Sequence, residues 1–188
     1  MLPPTPHNAS LPMQEPLWQS TAQHRLLSHG SAAAPDWLLD EGSLTEYLLK
    51  KSGGDFRVER LRQTWRRPLL SESALLGLPP DQWALVREVA LHCFGEPWVY
   101  ARSVMPAAAL SGKLRRLRRL QNQSLGALLF KQPKLVREAF EIALLPGANR
   151  YIHDAVRQSG DAWARRSCFR LLGKRLLVSE VFLERFQG

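Results

Sequence analysis

Two charged side chains lie where the hydropathy pattern calls for apolar ones. Read as a strand, the stretch around Arg87 puts Leu85, Arg87, Val89, Leu91 and Cys93 on one face, and Val86, Glu88, Ala90 and His92 on the other. Near the C-terminus Leu176, Val178, Glu180 and Phe182 share a face in the same way. A guanidinium or a carboxylate on an apolar face is costly unless a partner meets it. Two arrangements would satisfy both groups. Arg87 and Glu180 could close a buried salt bridge. Alternatively, they could stand on opposite walls of a closed pocket, where the planar fork of Arg87 takes a carboxylate bidentately and Glu180 accepts from a hydroxyl. The second arrangement would orient a small hydroxy-acid ring. No Gly-rich phosphate loop, Ser/His/Asp order or metal motif accompanies them. His7, His24, His29, His92 and His153 lack metal-ligand spacing with Cys93 and Cys168, and both cysteines read as small core residues. An enzyme built on this pair would use no cofactor and no metal, and would act by positioning and electrostatics.

Two hairpins must carry these residues. The first runs from Trp83, turns at Gly95–Glu96, and returns with Trp98, Tyr100, Arg102 and Val104 alternating against Val99, Ala101, Ser103 and Met105, to leave at Pro106. The second pairs Ser167–Leu172 with Arg175–Leu183 across Gly173–Lys174. Asp55–Trp65 is a further strand, while Lys134–Leu145 fits a strand or a short helix. Ser43 with Glu46 forms a capping box, so a helix begins near Leu44 and stops at Gly53–Gly54. Leu44, beside Gly42, is then either a core residue or a lid over a pocket. Residues 106–130 read as helical in two pieces, with Leu110, Leu114, Leu117 and Leu120 as the apolar stripe and Leu125–Gly126 opening the second piece. Residues 66–80 read as a connection, and 146–160 as turns with a helical turn around Ile152–Arg157. Hairpins with helices at their edges predict an α+β fold with an antiparallel sheet.

With 188 residues, 45% of them hydrophobic, the chain suits one domain with a sizeable core. Residues 1–35, rich in Pro, Gln, His and Ser, read as a flexible N-terminal arm anchored through Trp18, Leu26 and Leu27, and 36–188 as the domain. No apolar run reaches membrane-span length and the start has no secretory pattern, so a cytoplasmic protein is expected; the expected oligomeric state is a monomer. The net charge of +9 favours anionic partners, from small carboxylates to nucleic acid. Arg115, Arg116, Arg118 and Arg119 could bind nucleic acid or acidic lipid, but read first as a solvated face.

The chain resembles the chorismate pyruvate-lyase (chorismate lyase) family. Four ordered segments carry the resemblance: DWLLDEGSLT from Asp36, REVALHCFGEPWVYARSVMPAAALSG from Arg87, SLGALLF from Ser124 and WARRSCFRLLGKRLLVSEVFL from Trp163. Lys113–Arg119 and the N-terminal arm are outside the pattern. The resemblance implies an antiparallel sheet with helices around an enclosed site. It also implies cofactor-free conversion of chorismate to 4-hydroxybenzoate and pyruvate, the first committed step of ubiquinone biosynthesis. Carried over motif by motif, Arg87 binds the ring carboxylate, Glu180 lies near the product hydroxyl, and Leu44 and Leu125 are the flap positions that enclose the ligand. Arg87 and Glu180 are then the catalytic candidates. Arg165 and Arg166 are candidates for the second carboxylate, and only one can reach it, because neighbours on a strand face opposite ways. Glu180 is either a base or an orienting acceptor. The rival expectations are a small-aromatic-acid-sensing module on a related sheet, without turnover, and a basic nucleic-acid-binding protein. If the lyase reading holds, no nucleic acid is expected as partner.

Overall fold

The computed structural model describes residues 13–27, 33–79 and 81–188. Among them, eight strands form one antiparallel sheet: β1 Gln19–Ser20, β2 Phe56–Arg66, β3 Ala84–Cys93, β4 Glu96–Pro106, β5 Val136–Arg137, β6 Glu141–Leu145, β7 Ala162–Leu171 and β8 Lys174–Phe182. The order is β1-β6-β7-β8-β4-β3-β2, with β5 paired to β7. The helices are α1 Thr21–Leu27, α2 Leu44–Lys51, α3 Leu70–Leu76 and α4 Leu125–Phe130. This is the α+β architecture expected from the hairpins. Residues 134–145 resolve as strands β5 and β6, and none of the helices is long and apolar enough to cross a membrane.

The two hairpins meet in the middle of the sheet, where β4 pairs with β8 and Ala101 lies opposite Glu180. Both turns fall one residue earlier than expected. Phe94 and Gly95 have φ of 54° and 78°, and Leu172 and Gly173 have 51° and 72°. Two-residue hairpin loops of this kind need positive φ at both central positions to match strand twist. Glycine supplies only the second of them here, so reading the turn from glycine onward misplaces it.

Every residue of β3 is buried, because both faces of the sheet are covered. On one face α2, α4 and the segment 107–120 pack on Leu85, Val89, Leu91, Ala101, Met105 and Val178. The other face buries Tyr100, Val104, Leu177 and Val181 beneath Leu76 of α3 and Tyr151 and Ile152. The expected helix at 106–130 is mostly 3₁₀, over Ala107–Ala109 and Gly112–Arg119, followed by α4. Spacing explains the difference. Leu114, Leu117 and Leu120 recur every third residue, and a 3₁₀ helix with three residues per turn lines them up in one row. All three are buried, and truncating one to alanine would cost about 2–5 kcal/mol. Helix α3 lies inside the expected connection.

Part of the expected arm is laid on the sheet. β1 pairs with β6, Glu15 accepts from the N–H of Ser71 at 2.9 Å, and Trp18 packs edge-on against Tyr151. Leu26 is 74% exposed and anchors little by burial. The Leu27 side chain, residues 1–12 and 28–32, and with them His7 and His29, lie outside the described residues. Cys93 and Cys168 are buried free thiols, as expected of core residues.

Candidate active site

Between the sheet and its α2/α4 roof lies a small cavity. Strand β3 supplies Arg87, Val89 and Leu91 to its floor, β4 supplies Ala101 and Ser103, and β8 supplies Val178 and Glu180. The alternation that put Arg87 and Glu180 on apolar faces thus brings both into one chamber. Leu44 and Leu125, each the first residue of its helix, line it from above with Thr45 and Ser124. Ser43 accepts from the Glu46 N–H at 3.4 Å, and Ser124 caps α4 by accepting from Ala127 N–H at 3.2 Å. The Ser124 hydroxyl also lies 2.6 Å from the Thr45 hydroxyl, so one hydrogen bond seams the two roof helices. The sequence showed the Ser43 cap but not this seam, because the partners of the seam are far apart in the chain.

Arg87 is 1% exposed. Its Nη2 donates to the backbone carbonyls of Gln121 and Gln123 at 3.0 and 2.8 Å. Gln121 has φ 48°, which turns the chain so that both carbonyls face the guanidinium. The buried Nε has no partner among the described residues. An unmet buried donor costs about 1–3 kcal/mol, which suits a group that waits for a ligand anion. Burial, with Arg60 adding to it, lowers the Arg87 pKa to about 10, so the group remains a cation at neutral pH.

No Arg87–Glu180 salt bridge forms among the described residues, which sets aside that alternative. Glu180 lies directly across from Arg165 on β7, and Arg165 Nε donates to its Oε2 at 2.6 Å. Arg165 Nη1 donates to the carbonyls of Leu38 and Asp40 at 3.0 and 2.8 Å. Its guanidinium lies over the rings of Phe140 and Phe182. Arg166 is not at the cavity. It points to the opposite face of β7, where it donates to Glu141 and Ser71 at 2.7 Å and lies over Trp18 at 4.5 Å. Its expected role in binding substrate is therefore corrected, for the reason that alternation along a strand dictates.

The sequence reading missed Arg137 on β5. Its Nη2 lies 3.9 Å from Glu180 Oε2, and its Nε donates to Ser167 Oγ at 3.1 Å. The guanidinium sits 4.3 Å above the Phe140 ring and 5.0 Å above Phe169. Burial outweighs the Glu180 charge and lowers its pKa to about 10. It sits in a stretch whose periodicity fits helix or strand, so no face could be assigned to it.

Also missed was a charged cluster inside the opposite face. Arg102, fully buried, donates to Glu72 at 2.7 and 3.0 Å and to Glu88 at 2.8 Å. Glu72 in turn accepts from the Leu69 N–H at 2.9 Å and so holds the start of α3 on the sheet. Alternation assigned Glu88 and Arg102 to their faces, but could not reveal that the second face is covered too.

A sequence model of the chorismate lyase family matches residues 12–187. The chain belongs to the chorismate lyase family. Among curated relatives, a probable chorismate pyruvate-lyase of Methylococcus capsulatus is 42% identical over 151 residues, which cover 78% of this chain and 92% of that protein. One from Pseudomonas aeruginosa is 41% identical, covering 89% of this chain and 90% of its own length. One from Pseudomonas fluorescens is 38% identical, covering 95% and 92%. Among solved structures, the effector domain of PhnF from Mycobacterium smegmatis superposes with a TM-score of 0.56 at 16% identity, covering 79% of this chain and 93% of that one. The ligand-binding domain of a GntR-family regulator from Bordetella bronchiseptica gives 0.51 at 12% identity, covering 82% and 93%. At such identities these likenesses concern the fold alone. The chorismate lyase fold is thus shared with effector domains of regulators, while the sequence kinship is with the lyases.

Proposed function

We propose that this chain is a chorismate pyruvate-lyase that converts chorismate to 4-hydroxybenzoate and pyruvate, the step its family resemblance assigns to ubiquinone biosynthesis. One observation carries the reading: a roofed apolar cavity lined by the guanidinium of Arg87, whose buried Nε has no partner among the described residues, and by the carboxylate of Glu180. Such a cavity takes a flat ring bearing a carboxylate on one side and a hydroxyl on the other. The cavity is built from one chain, so a monomer suffices.

The chemistry follows from that placement. Cleavage breaks the enol-ether bond at ring carbon 3, and the hydrogen on carbon 4 leaves, so the ring becomes aromatic. In a concerted route that hydrogen passes to the enolpyruvyl methylene and pyruvate leaves directly. In a stepwise route a base takes it as a proton and enolpyruvate leaves. Glu180 Oε2 is committed to Arg165, which leaves Oε1 to accept from the hydroxyl on carbon 4. We assign Glu180 the role of orienting that hydroxyl, and Arg87 the role of holding the ring carboxylate, so that the arm is presented in the reactive shape. Leu44 and Leu125 exclude water from above. Neither step calls on a cofactor.

Mixing the purified protein with chorismate and following the ultraviolet absorbance of 4-hydroxybenzoate tests this directly. Accumulation of product is expected. A second reading, a sensor that binds an aromatic acid without turnover, is favoured by the fold shared with regulator effector domains. It predicts tight binding of 4-hydroxybenzoate and no product from chorismate.

A further inference from the structure

Chorismate carries a second carboxylate, on the enolpyruvyl arm, and Arg87 accounts only for the one on the ring. The arm leaves the ring carbon next to the one that bears the hydroxyl. With that hydroxyl at Glu180, the arm's carboxylate falls at the Glu180 end of the cavity. Two of the arginines nearest to hand are already committed. Arg166 is on the opposite face, held by Glu141 and Ser71. Arg165 already has its charge met, by the 2.6 Å ion pair of its Nε with Glu180, and its Nη1 is held by two backbone carbonyls.

Arg137 differs in having no carboxylate within hydrogen-bond reach among the described residues. Its Nε is used by Ser167 Oγ, and its Nη1 by the carbonyls of Glu41 and Gly42 at 3.2 and 3.4 Å. Its Nη2 stands 3.9 Å from Glu180 Oε2, beyond hydrogen-bond reach, with no hydrogen-bond partner among the described residues. The rings of Phe130, Phe140 and Phe169 fix the guanidinium, and two of these, Phe130 and Phe169, also line the cavity. The side chain is 12% exposed, so this cation has been taken largely out of water without a full partner. Arg87 and Glu180 line the chamber and Arg137 and Arg165 flank Glu180, so three cations against one carboxylate leave two positive charges in excess around it, which matches a dianion rather than the single charge of 4-hydroxybenzoate.

We propose that Arg137, through Nη2, binds the enolpyruvyl carboxylate of the substrate and so distinguishes chorismate from product. The proposal rests on the chorismate reading given above. Once the carbon–oxygen bond breaks, this carboxylate departs with pyruvate, and 4-hydroxybenzoate keeps its contacts to Arg87 and Glu180 but none to Arg137. Arg137 therefore adds affinity for the substrate and none for the aromatic product.

The test compares two ligands in one variant. In Arg137→Gln, kcat/KM for chorismate is expected to fall roughly a hundredfold, the scale for losing one side of a desolvated ion pair. Calorimetric affinity for 4-hydroxybenzoate is expected to stay within about threefold of wild type, because its carboxylate contact is untouched. Arg137→Lys should recover part of the loss, since a point charge replaces a fork. It also carries the test if the glutamine variant fails to fold. A residue that merely braces the loop before α2 would weaken both ligands in parallel, and that result overturns the assignment. So does a folded variant whose chorismate kcat/KM equals wild type. Wild-type protein that binds 4-hydroxybenzoate but yields none from chorismate overturns the lyase reading itself, which the variant comparison leaves separately visible.

Discussion

Replacing Arg87 by methionine separates binding from stability. The ligand carboxylate, met by a fork, gains two charge-assisted hydrogen bonds, each contributing about 1.5–3 kcal/mol. Losing both removes about 3–6 kcal/mol, a weakening of roughly 10²- to 10⁴-fold in 4-hydroxybenzoate affinity. Folding stability should behave otherwise. The substitution deletes a buried cation with an unmet Nε, and exchanging buried charge for an apolar chain of similar size is often neutral or stabilising. The two carbonyls it releases belong to Gln121 and Gln123, both exposed residues to which water has access. The thermal midpoint should therefore fall by no more than a few degrees, or rise. Arg87→Lys should bind between wild type and Arg87→Met. In wild type, affinity for benzoate, whose charge is constant above neutrality, should be flat from pH 7 to 9. It should then fall about tenfold per unit above about pH 10, where the guanidinium, its pKa lowered by burial, loses its proton. Calorimetric titration and thermal unfolding read both quantities. Unchanged affinity in a folded Arg87→Met protein would refute the assignment, and a collapse of stability with affinity would refute the reasoning about its cost.

Glu180→Gln keeps an acceptor for the hydroxyl, so single-turnover cleavage should slow by less than about a hundredfold, the lower scale for loss of a general base; a larger loss with intact chorismate binding would restore the base role. Thr45→Val removes the 2.6 Å seam to Ser124 while leaving the α4 cap in place. Release of 4-hydroxybenzoate in stopped flow should quicken severalfold if roof opening gates it, and an unchanged rate would show that the seam does not hold the roof. Residues 97–137 contain nine Lys or Arg and no acid, so the whole +9 excess lies in this stretch, which includes the roof helix α4. Replacing Arg115, Arg116, Arg118 and Arg119 together by Gln should lower the association rate of 4-hydroxybenzoate and flatten its salt dependence, as loss of electrostatic steering requires. Identical salt slopes in wild type and variant would show that this face does not guide the ligand.

That Arg87 and Glu180 each interrupt an apolar face was legible from alternation, because period two fixes the face of a side chain whichever strand it pairs with, but alternation left a salt bridge and a pocket both open. Arg87 and Glu180 could be matched without knowing that β4 lies between them. What lay beyond the reach of pattern was pairing at a distance. Arg165 and Arg166 were equal candidates in sequence, and only the pairing across the sheet shows that the first is committed to Glu180 and the second to Glu141 and Ser71. Arg102 and Glu88 faced a side that a hairpin alone would leave wet. Helix α3 covers it, and α3 escaped notice because Leu69 precedes it in place of a Ser, Thr, Asp or Asn cap. The period-three leucines were visible, but a period of three beside a period of 3.6 is easily taken for an α-helical stripe.

The most direct measurement is a single turnover. Protein in excess, dialysed against EDTA, is mixed with chorismate and quenched, and 4-hydroxybenzoate and pyruvate are counted. The account predicts one equivalent of each per chorismate, with 4-hydroxybenzoate retained on the wild-type protein and much less retained on Arg87→Met. Chorismate recovered unchanged, or turnover that returns only on adding a metal ion, would contradict it.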